Sequence, residues 1–298
     1  MGEPSRRLPV TLAPRTDELL SSWIGRHAEF YAVPPLAMLR HCLPEASSVR
    51  TADLDLNEDQ VFRLARMFSA DPTTVRRTTF ANIAQSSRRL IAKEPVQSCS
   101  CCHSPKHEPR PVLRSQLLGW RITCTLCGCL LRHSGRHDRH SPFGRYHGTS
   151  LIGERLLDDE AERNVRTWTS PAEIARLLLM RRGTIPISRG YEPWRFRVLG
   201  AIIPDLDDVV ERGSLPTPAS PILPLHLRPA LLAGVAIVER AGPEMLEMLR
   251  GQMMGANAIQ RRYRRDHDPY MPINGVFAVA VNLRPRPLRF SALNAKLG

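Results

Sequence analysis

Six of the seven cysteines lie in two short groups whose spacing suits a metal ion. The first group reads CSCC from Cys99, and the second reads CTLCGC from Cys124. Cys99 with Cys102, and Cys124 with Cys127, form two Cys-x-x-Cys turns that are separated by 21 residues. Each turn points two thiolates at one position, and two turns supply the four soft ligands that tetrahedral zinc prefers. The spacing therefore predicts zinc at Cys99, Cys102, Cys124 and Cys127, against the alternative of free or disulfide-bonded thiols.

Spare donors around these turns leave the ligand set open. Cys101 could replace Cys102 only through a one-residue loop, which gives zinc poor geometry. Cys129 is a closer rival to Cys127, since only Gly128 separates the two. Two further donors within reach are His103 and His107.

The other clusters of chemically active residues do not predict catalysis. Four histidines follow the second turn at loose spacing, so a polar basic loop is preferred to a second metal site; they are His133, His137, His140 and His147. A polar turn after Pro204 accounts for the cluster of Asp205, Asp207 and Asp208. No phosphate-binding Gly-x-x-x-x-Gly-Lys loop, His-Glu-x-x-His pair or nucleophile elbow is present. Four thiolate ligands would also leave no coordination position on the zinc for water, so we expect a structural metal. We therefore expect that the protein is not an enzyme.

The charge balance predicts an acidic partner, with nucleic acid first. The formal net charge is +13 at pH 7. Residues 1–98 carry 13 basic and 11 acidic side chains, whereas residues 99–150 carry 8 and 2, and residues 151–298 carry 21 and 16. The excess is therefore densest on the cysteine segment, where a polyanion could be bound.

No feature of the chain predicts export or membrane insertion. The stretch from Met1 to Arg15 lacks the apolar core of a signal peptide, and the longest apolar run, residues 230–238, is too short to span a bilayer. Clustered cysteines without an export signal favour a reducing cytoplasm. Cys42 stands apart from the other thiols and is expected to be a small buried apolar residue.

Helical periodicity dominates the first 95 residues. Thr16 is expected to cap a helix whose first turn carries Asp17 and Glu18, because acidic side chains are favoured at a helix N-terminus. A second helix is predicted from Pro35 to about Cys42.

The strongest local signal is a pair of helices between residues 57 and 80. Asn57 and Gln60 form a capping pair for the first helix, and Asp71-Pro72 starts the second. This pattern predicts a helix-turn-helix with residues 71–80 in the place of the recognition helix and with Arg76 and Arg77 pointing outward. A helical hairpin that serves only the bundle is the alternative.

The chain is predicted to be helical again from residue 150. Ser170 and Glu173 form a capping box, and further helices are expected over residues 229–240 and 243–254. Residues 213–229 contain five prolines and predict an irregular connection. A basic run, RRYRR, could neutralise phosphates, although a solvated helix end is the ordinary alternative. The candidate phosphate contacts are Arg76, Arg77, Arg88, Arg89, Arg261, Arg262, Arg264 and Arg265.

Two motifs together resemble the TniQ/TnsD family of transposon target-selection proteins. The first is the pair of cysteine turns with LGWRIT before the second turn and Leu130-Leu131 after it. In that family the second turn usually ends in histidine, and Cys127 stands in that place here. The second motif is Leu8-Pro9-Val10 followed by DELLSSWI from Asp17, which resembles the family's opening signature. The two motifs lie within residues 8–131.

This resemblance implies an adaptor that selects the target site for transposition. Such proteins recruit an AAA+ ATPase regulator and, through it, the transposase to double-stranded DNA; some read the DNA themselves, and others are carried by a CRISPR effector complex. A homodimer is also allowed. The predicted fold is mainly α, with a helix-turn-helix-like part over residues 1–95, a zinc-binding module over 96–149 and a helical domain over 150–298. The alternatives are a free-standing zinc-containing DNA-binding regulator and a protein-interaction module.

Overall fold

Helices dominate the described part of the chain, which confirms the mainly α class. The computed structural model describes residues 7–102, 111–133, 140–179, 199–210 and 222–245. The first half contains α1 (Leu20–Phe30), α2 (Pro35–Cys42), α3 (Val49–Leu54), α4 (Glu58–Met67), α5 (Pro72–Arg77) and α6 (Gln85–Arg88). The second half contains α7 (His147–Arg163), α8 (Pro171–Leu178), α9 (Leu199–Ile202), α10 (Leu206–Val209) and α11 (Arg228–Ala241). Two short strands, β1 (Gln97–Ser98) and β2 (Arg132–His133), pair antiparallel.

Helices α1 to α5 surround one of two large hydrophobic clusters. Trp23 and Phe68 lie at its centre, with ring centroids 4.7 Å apart, and Cys42 is buried in it as an apolar residue. The Trp23 indole N–H donates to the carbonyl of Leu12 at 2.6 Å, so the N-terminal arm is tied to this core. One face of α1 and one face of α4 are apolar and are buried in this cluster.

The second cluster joins the cysteine segment to the later helices. Leu118, Trp120 and Ile122 pack in one core with side chains from α7, α8 and α11. The closest approach is at Gly153 of α7, where an added Cβ would lie 2.0 Å from the backbone oxygen of Leu232 on α11. Only glycine allows these two helices to cross at this distance.

The start of α1 differs from the prediction. The helix begins at Leu20 rather than after Thr16, and Asp17 adopts a left-handed backbone conformation with φ of 60°. Glu18 pairs with Leu113 in an isolated antiparallel bridge. The sequence predicts Asp17 and Glu18 in the first turn of the helix. They lie before it instead and make the tertiary contacts that are described below.

The helix pair between residues 57 and 80 is confirmed, with a shorter second helix. Asn57 and Gln60 make the reciprocal capping box of α4, and Asp71 caps α5 by accepting from the Thr73 N–H. However, α5 ends at Arg77, and the three residues after it are buried. Residues 71–80 therefore do not form one exposed recognition helix.

The Val112 to Thr123 segment, whose alternating sequence predicts a hairpin or strand that returns to the second turn, forms neither. Residues 114–116 form a 3-10 turn, and Leu118 and Thr123 take part only in isolated bridges. Backbone bonds from Ala92, Val96 and Gly119 hold it instead to residues 90–96.

The later helices match their predicted starts within a residue or so where they are described. Ser170 caps α8 by accepting from the Glu173 N–H, and α11 begins at Arg228. Most of the predicted 243–254 helix and most of the proline-rich connection lie outside the described residues. The three-domain division stays a prediction. Within the described residues, no helix combines the length and the apolar character needed to cross a bilayer.

Candidate metal centre

The two Cys-x-x-Cys turns bring their four sulfur atoms together. The Sγ atoms of Cys99, Cys102, Cys124 and Cys127 all lie within 4.8 Å of one another. The Cys99–Cys127 separation is 3.4 Å, and the Cys102–Cys124 separation is 3.8 Å. Zinc–sulfur bonds of about 2.3 Å in a tetrahedron place the sulfurs about 3.8 Å apart. The four-thiol cluster therefore fits a tetrahedral zinc ion.

One side of the four-thiol cluster is buried and the other is open. Cys99 and Cys124 are 1% and 4% exposed, whereas Cys102 and Cys127 are exposed. A metal ion can thus enter from the solvent side, while the buried pair anchors the site to the fold.

The pKa shifts differ among the four thiols. A hydrogen bond from the backbone N–H of Cys129 lowers the pKa of Cys127 to about 6. Burial raises the pKa of Cys99, and the hydrogen bond with the Cys127 sulfur raises that of Cys102, although the Cys102 N–H donates to the Cys99 sulfur at 3.4 Å. Gly128 has a φ of 72°, which is unfavourable for residues with a side chain, and so lets the chain turn back after Cys127. Zinc ligands must be deprotonated, so zinc binding would release protons from these thiols.

The rival donors fall into a different arrangement. Cys101 and Cys129 form a second close group with Cys127 and lie outside the four-thiol cluster. The geometry thus favours Cys127 over Cys129 as the fourth member. His103 and His107 lie outside the described residues. Among the described residues, the close groups of possible metal ligands contain cysteines only, and His133, His140 and His147 belong to none of them; the fourth predicted histidine, His137, lies outside.

A short β-ladder pairs the residues before the first turn with the residues after the second turn. Gln97 pairs with His133, and Ser98 pairs with Arg132, directly before the first turn and after the second. A separate bond, from the Leu131 N–H to the Ile122 carbonyl at 2.9 Å, joins the two sides of the second turn.

A buried glutamate from α7 holds the chain that leads into the second turn. One Glu154 carboxylate oxygen accepts the backbone N–H groups of Ile122 and Thr123 at 2.9 and 3.0 Å. The other accepts the Thr123 hydroxyl at 2.8 Å. Glu154 was not predicted as a site residue, because its partners lie about 30 positions away and no local pattern marks it.

The N-terminal motif also contacts the second turn. The Asp17 carboxylate accepts the Thr125 hydroxyl at 3.0 Å and the Ser115 N–H at 3.1 Å. Glu18 binds the guanidinium of Arg26 at 2.6 Å. The N-terminal motif and the cysteine motif are therefore one structural unit, in which Asp17 binds the cysteine segment and Glu18 binds α1.

A buried arginine ties α11 to the strand before Cys99. Arg228 is 1% exposed, and burial lowers its pKa to about 9. Its guanidinium donates to the side chain of Gln97 and to the carbonyls of Arg121 and Leu223. Gln97 in turn donates to the Ser115 carbonyl at 2.7 Å. The metal centre is consequently supported from both halves of the chain.

The predicted phosphate contacts differ in their surroundings. Arg76 pairs with Glu58, and Arg88 binds Asp55 and two backbone carbonyls. Arg77 and Arg89 are exposed and make no ion pair or hydrogen bond with the part of the chain that the structure describes. The other four predicted contacts, Arg261, Arg262, Arg264 and Arg265, lie outside the described residues.

Comparison with known proteins identifies one family. Residues 9–134 match the TniQ family model, a range that includes α1 to α6 and both cysteine turns. No curated protein and no solved structure matches the chain significantly.

Proposed function

We propose that the chain is a TniQ-type protein, because its residues 9–134 match the TniQ family model, and that it is a non-catalytic adaptor that selects the DNA target site for transposition. The observation that carries this proposal is the extent of the family match. It covers the N-terminal signature at Asp17 and the four-thiol cluster, and these two features contact each other through Thr125. The family likeness therefore extends over a structural unit and not over a metal-binding pattern alone.

The proposed cofactor is one zinc ion at Cys99, Cys102, Cys124 and Cys127. When bound, it would supply a four-thiolate cross-link with no open coordination position, which is a structural role. The chain's own residues orient the turns: Glu154 holds the approach to Cys124, and Asp17 holds the middle of the second turn. This arrangement supports an adaptor and offers no water-activating centre.

The proposed DNA contacts are the exposed arginines. Arg77 ends α5 and Arg89 follows α6, and both guanidinium groups are available to phosphates. Arg76 and Arg88 would first have to leave their acidic partners, so we expect a smaller contribution from them. The basic run over residues 261–265 remains a candidate on its charge.

The proposed partners follow from the family. The adaptor would bind double-stranded DNA, or a guide complex already on the DNA, and recruit an AAA+ ATPase regulator and so the transposase. A reducing cytoplasm is the proposed location, in keeping with free thiols. A free-standing DNA-binding regulator would share the DNA contacts but would recruit no ATPase.

The test is selection of bound duplexes from a random DNA pool at low and moderate salt. We expect salt-sensitive binding, with log affinity falling by about 0.9 per phosphate contact for each decade of salt. Arg77→Gln and Arg89→Gln should each lower that slope by about one contact and weaken all duplexes alike. Arg155→Gln, an exposed arginine on α7, is the matched control and should bind as the parent does.

The outcomes separate the candidate functions. An enriched motif together with capture of an AAA+ ATPase supports a target reader, and salt-sensitive binding without a motif supports an adaptor that other proteins deliver. An enriched motif without ATPase capture supports the free-standing regulator. Absence of DNA binding in the parent protein and absence of ATPase capture would refute the proposal.

A further inference from the structure

Two cysteines beside the four-thiol cluster form a pair of their own. The Sγ atoms of Cys101 and Cys129 lie 2.8 Å apart. Cys101 is exposed and Cys129 is half-buried, and both are free thiols. We propose that this pair is a modification site, at which a hydroperoxide forms a reversible disulfide that cross-links the two Cys-x-x-Cys turns.

The sulfur separations distinguish this pair from the metal ligands. Within the four-thiol cluster the close pairs are 3.4 and 3.8 Å apart, near the separation of about 3.8 Å that a tetrahedral zinc ion imposes. The Cys101–Cys129 separation is shorter than a shared metal ion allows, and two unbonded sulfurs do not normally approach so closely. The separation is intermediate between the contact distance of unbonded sulfurs and a disulfide bond of about 2.05 Å. The geometry therefore favours a covalent link over a second metal ion.

The ladder of β1 and β2 holds the two cysteine segments side by side. It ends at Ser98 and Arg132, three residues before Cys101 and three residues after Cys129. The two thiols, 28 positions apart in the chain, thus lie next to a paired stretch of backbone.

The proposed reaction balances with a hydroperoxide as the oxidant. The exposed Cys101 sulfur attacks the peroxide and breaks its O–O bond, which gives a sulfenic acid and, with hydrogen peroxide, one water. The Cys129 sulfur then attacks the Cys101 sulfur and displaces the oxygen as a second water. Two electrons pass from the sulfurs to the peroxide, and both thiol protons end in water. A dithiol reverses the reaction by exchange.

The disulfide would leave all four proposed zinc ligands unmodified. It would add a covalent link between turns that are otherwise joined by the ladder and the metal. The turns would then stay together when a chelator removes the metal, because the cross-link limits how far they can separate. This proposal goes beyond target selection and does not depend on it.

The test treats the full-length, zinc-loaded protein with hydrogen peroxide and then alkylates it under denaturing conditions. We expect two fewer alkylated thiols, a cross-linked pair of tryptic peptides containing Cys101 and Cys129, and recovery with dithiothreitol. Zinc, measured with a chromogenic chelator, should remain at one ion per chain. Cys101→Ser and Cys129→Ser should each abolish the cross-link, and Cys42→Ser, which removes a buried remote thiol, should retain it.

Three results would overturn the proposal. One is zinc release in step with oxidation, which would mean that the four-thiol cluster is the site of attack. Another is persistence of the cross-link in either serine variant. The third is two metal ions per chain in the parent and one in the double variant, which would assign the pair to a second metal. All these readouts are independent of DNA binding, so failure here is distinguishable from failure of the proposed function.

Discussion

Individual carboxylates decide how the cysteine segment is held. Glu154 is 3% exposed and accepts three hydrogen bonds from residues 122 and 123. The Arg121 guanidinium lies 3.7 Å from one of its oxygens and 2.9 Å from the Asp158 carboxylate, so both carboxylates share this one positive charge. A buried carboxylate with this many donors is costly to alter, since each donor would lose a charged partner.

Glu154→Gln should therefore destabilise the protein. The carboxylate of Glu154 accepts through both oxygens, whereas the amide of glutamine has only one acceptor oxygen. The amide NH2 group would then face the backbone N–H groups or the Thr123 hydroxyl, which are also donors. We expect a loss of about 2 kcal/mol in the free energy of unfolding, measured by urea denaturation of the zinc-loaded protein. Glu162→Gln, on the same helix, is the control; it weakens only an exposed ion pair with Arg114 and should change the stability by less than about 1 kcal/mol. Equal effects of the two variants would contradict the assigned role.

Asp53 should give stability a measurable pH dependence. Its Oδ1 accepts the Ser21 N–H at 2.8 Å, whereas its buried Oδ2 lies 3.6 Å from the Arg50 guanidinium and accepts no hydrogen bond within the described structure. Burial raises the Asp53 pKa to about 6, above the value of about 3.9 in an unfolded chain. Between about pH 3.9 and pH 6 the folded state therefore holds a proton on Asp53 that the unfolded state has released. This proton binding stabilises the folded state, and the stabilisation is lost as the pH rises through about 6.

Asp53→Asn removes that titration. When the pH is raised from 4 to 7.5, the free energy of unfolding of the variant should increase relative to that of the parent by about 1–3 kcal/mol. Urea melts of both proteins at the two pH values measure this difference, and metal loss at low pH affects both alike. A constant difference between the proteins across this range would show that Asp53 does not titrate as inferred.

At the scale of elements, close helix contacts hold the second core. α7 and α11 pack so tightly at Gly153 that a Cβ would meet backbone atoms of Leu232. Gly119, in the LGWRIT motif, likewise faces the Leu90 carbonyl, 2.6 Å from where its Cβ would lie. The motif glycine is thus explained by the approach of a neighbouring segment. Gly119 also lies in a turn that the Arg121 N–H closes to the Leu118 carbonyl, but the close approach of Leu90 is what excludes a side chain.

Gly153→Ala should destabilise the molecule by about 2 kcal/mol or more. The contact is with backbone, so α7 and α11 must separate to relieve it. Gly148→Ala on the same helix is the matched control, because that position is exposed and has open space around the added Cβ. There alanine should be neutral or stabilising by up to about 1 kcal/mol. Chemical denaturation measures both, and similar results for the two variants would contradict the close crossing.

At the scale of the molecule, the metal centre is a small cluster of its own, in which Cys99 and Cys124 pack with Leu131. The first large cluster contains none of the turn cysteines. The second includes Leu118, Trp120 and Ile122, which lie between the cysteine turns. A small zinc module by itself would depend on its metal for folding. Here the intervening segment is also anchored by apolar burial.

Metal loss should therefore have a local effect. Cys124→Ser should lose its zinc and melt at a lower temperature, while Cys42→Ser keeps the parent's zinc content. Hydrogen exchange should quicken over residues 97–102 and 122–133, whereas α7 and α11 keep most of their protection. Retention of zinc and of the melting temperature in Cys124→Ser would show that the proposed ligand set is wrong.

The sequence by itself determined those features whose signals lie within one turn of chain. The pairing of Cys99 with Cys102, the capping box at Asn57 and the N-cap at Asp71 depend on neighbours that are two to four residues away, and all were predictable. Tertiary structure alone decided which remote group a polar side chain would meet. Asp17 and Glu18 have the pattern of a helix start, yet Ser115, Thr125 and Arg26 bind them instead, because these partners fold against the arm from elsewhere in the chain. In the same way, the sequence predicts that Arg88 is free to bind phosphate. The fold instead places it against Asp55, which is 33 positions away in the chain.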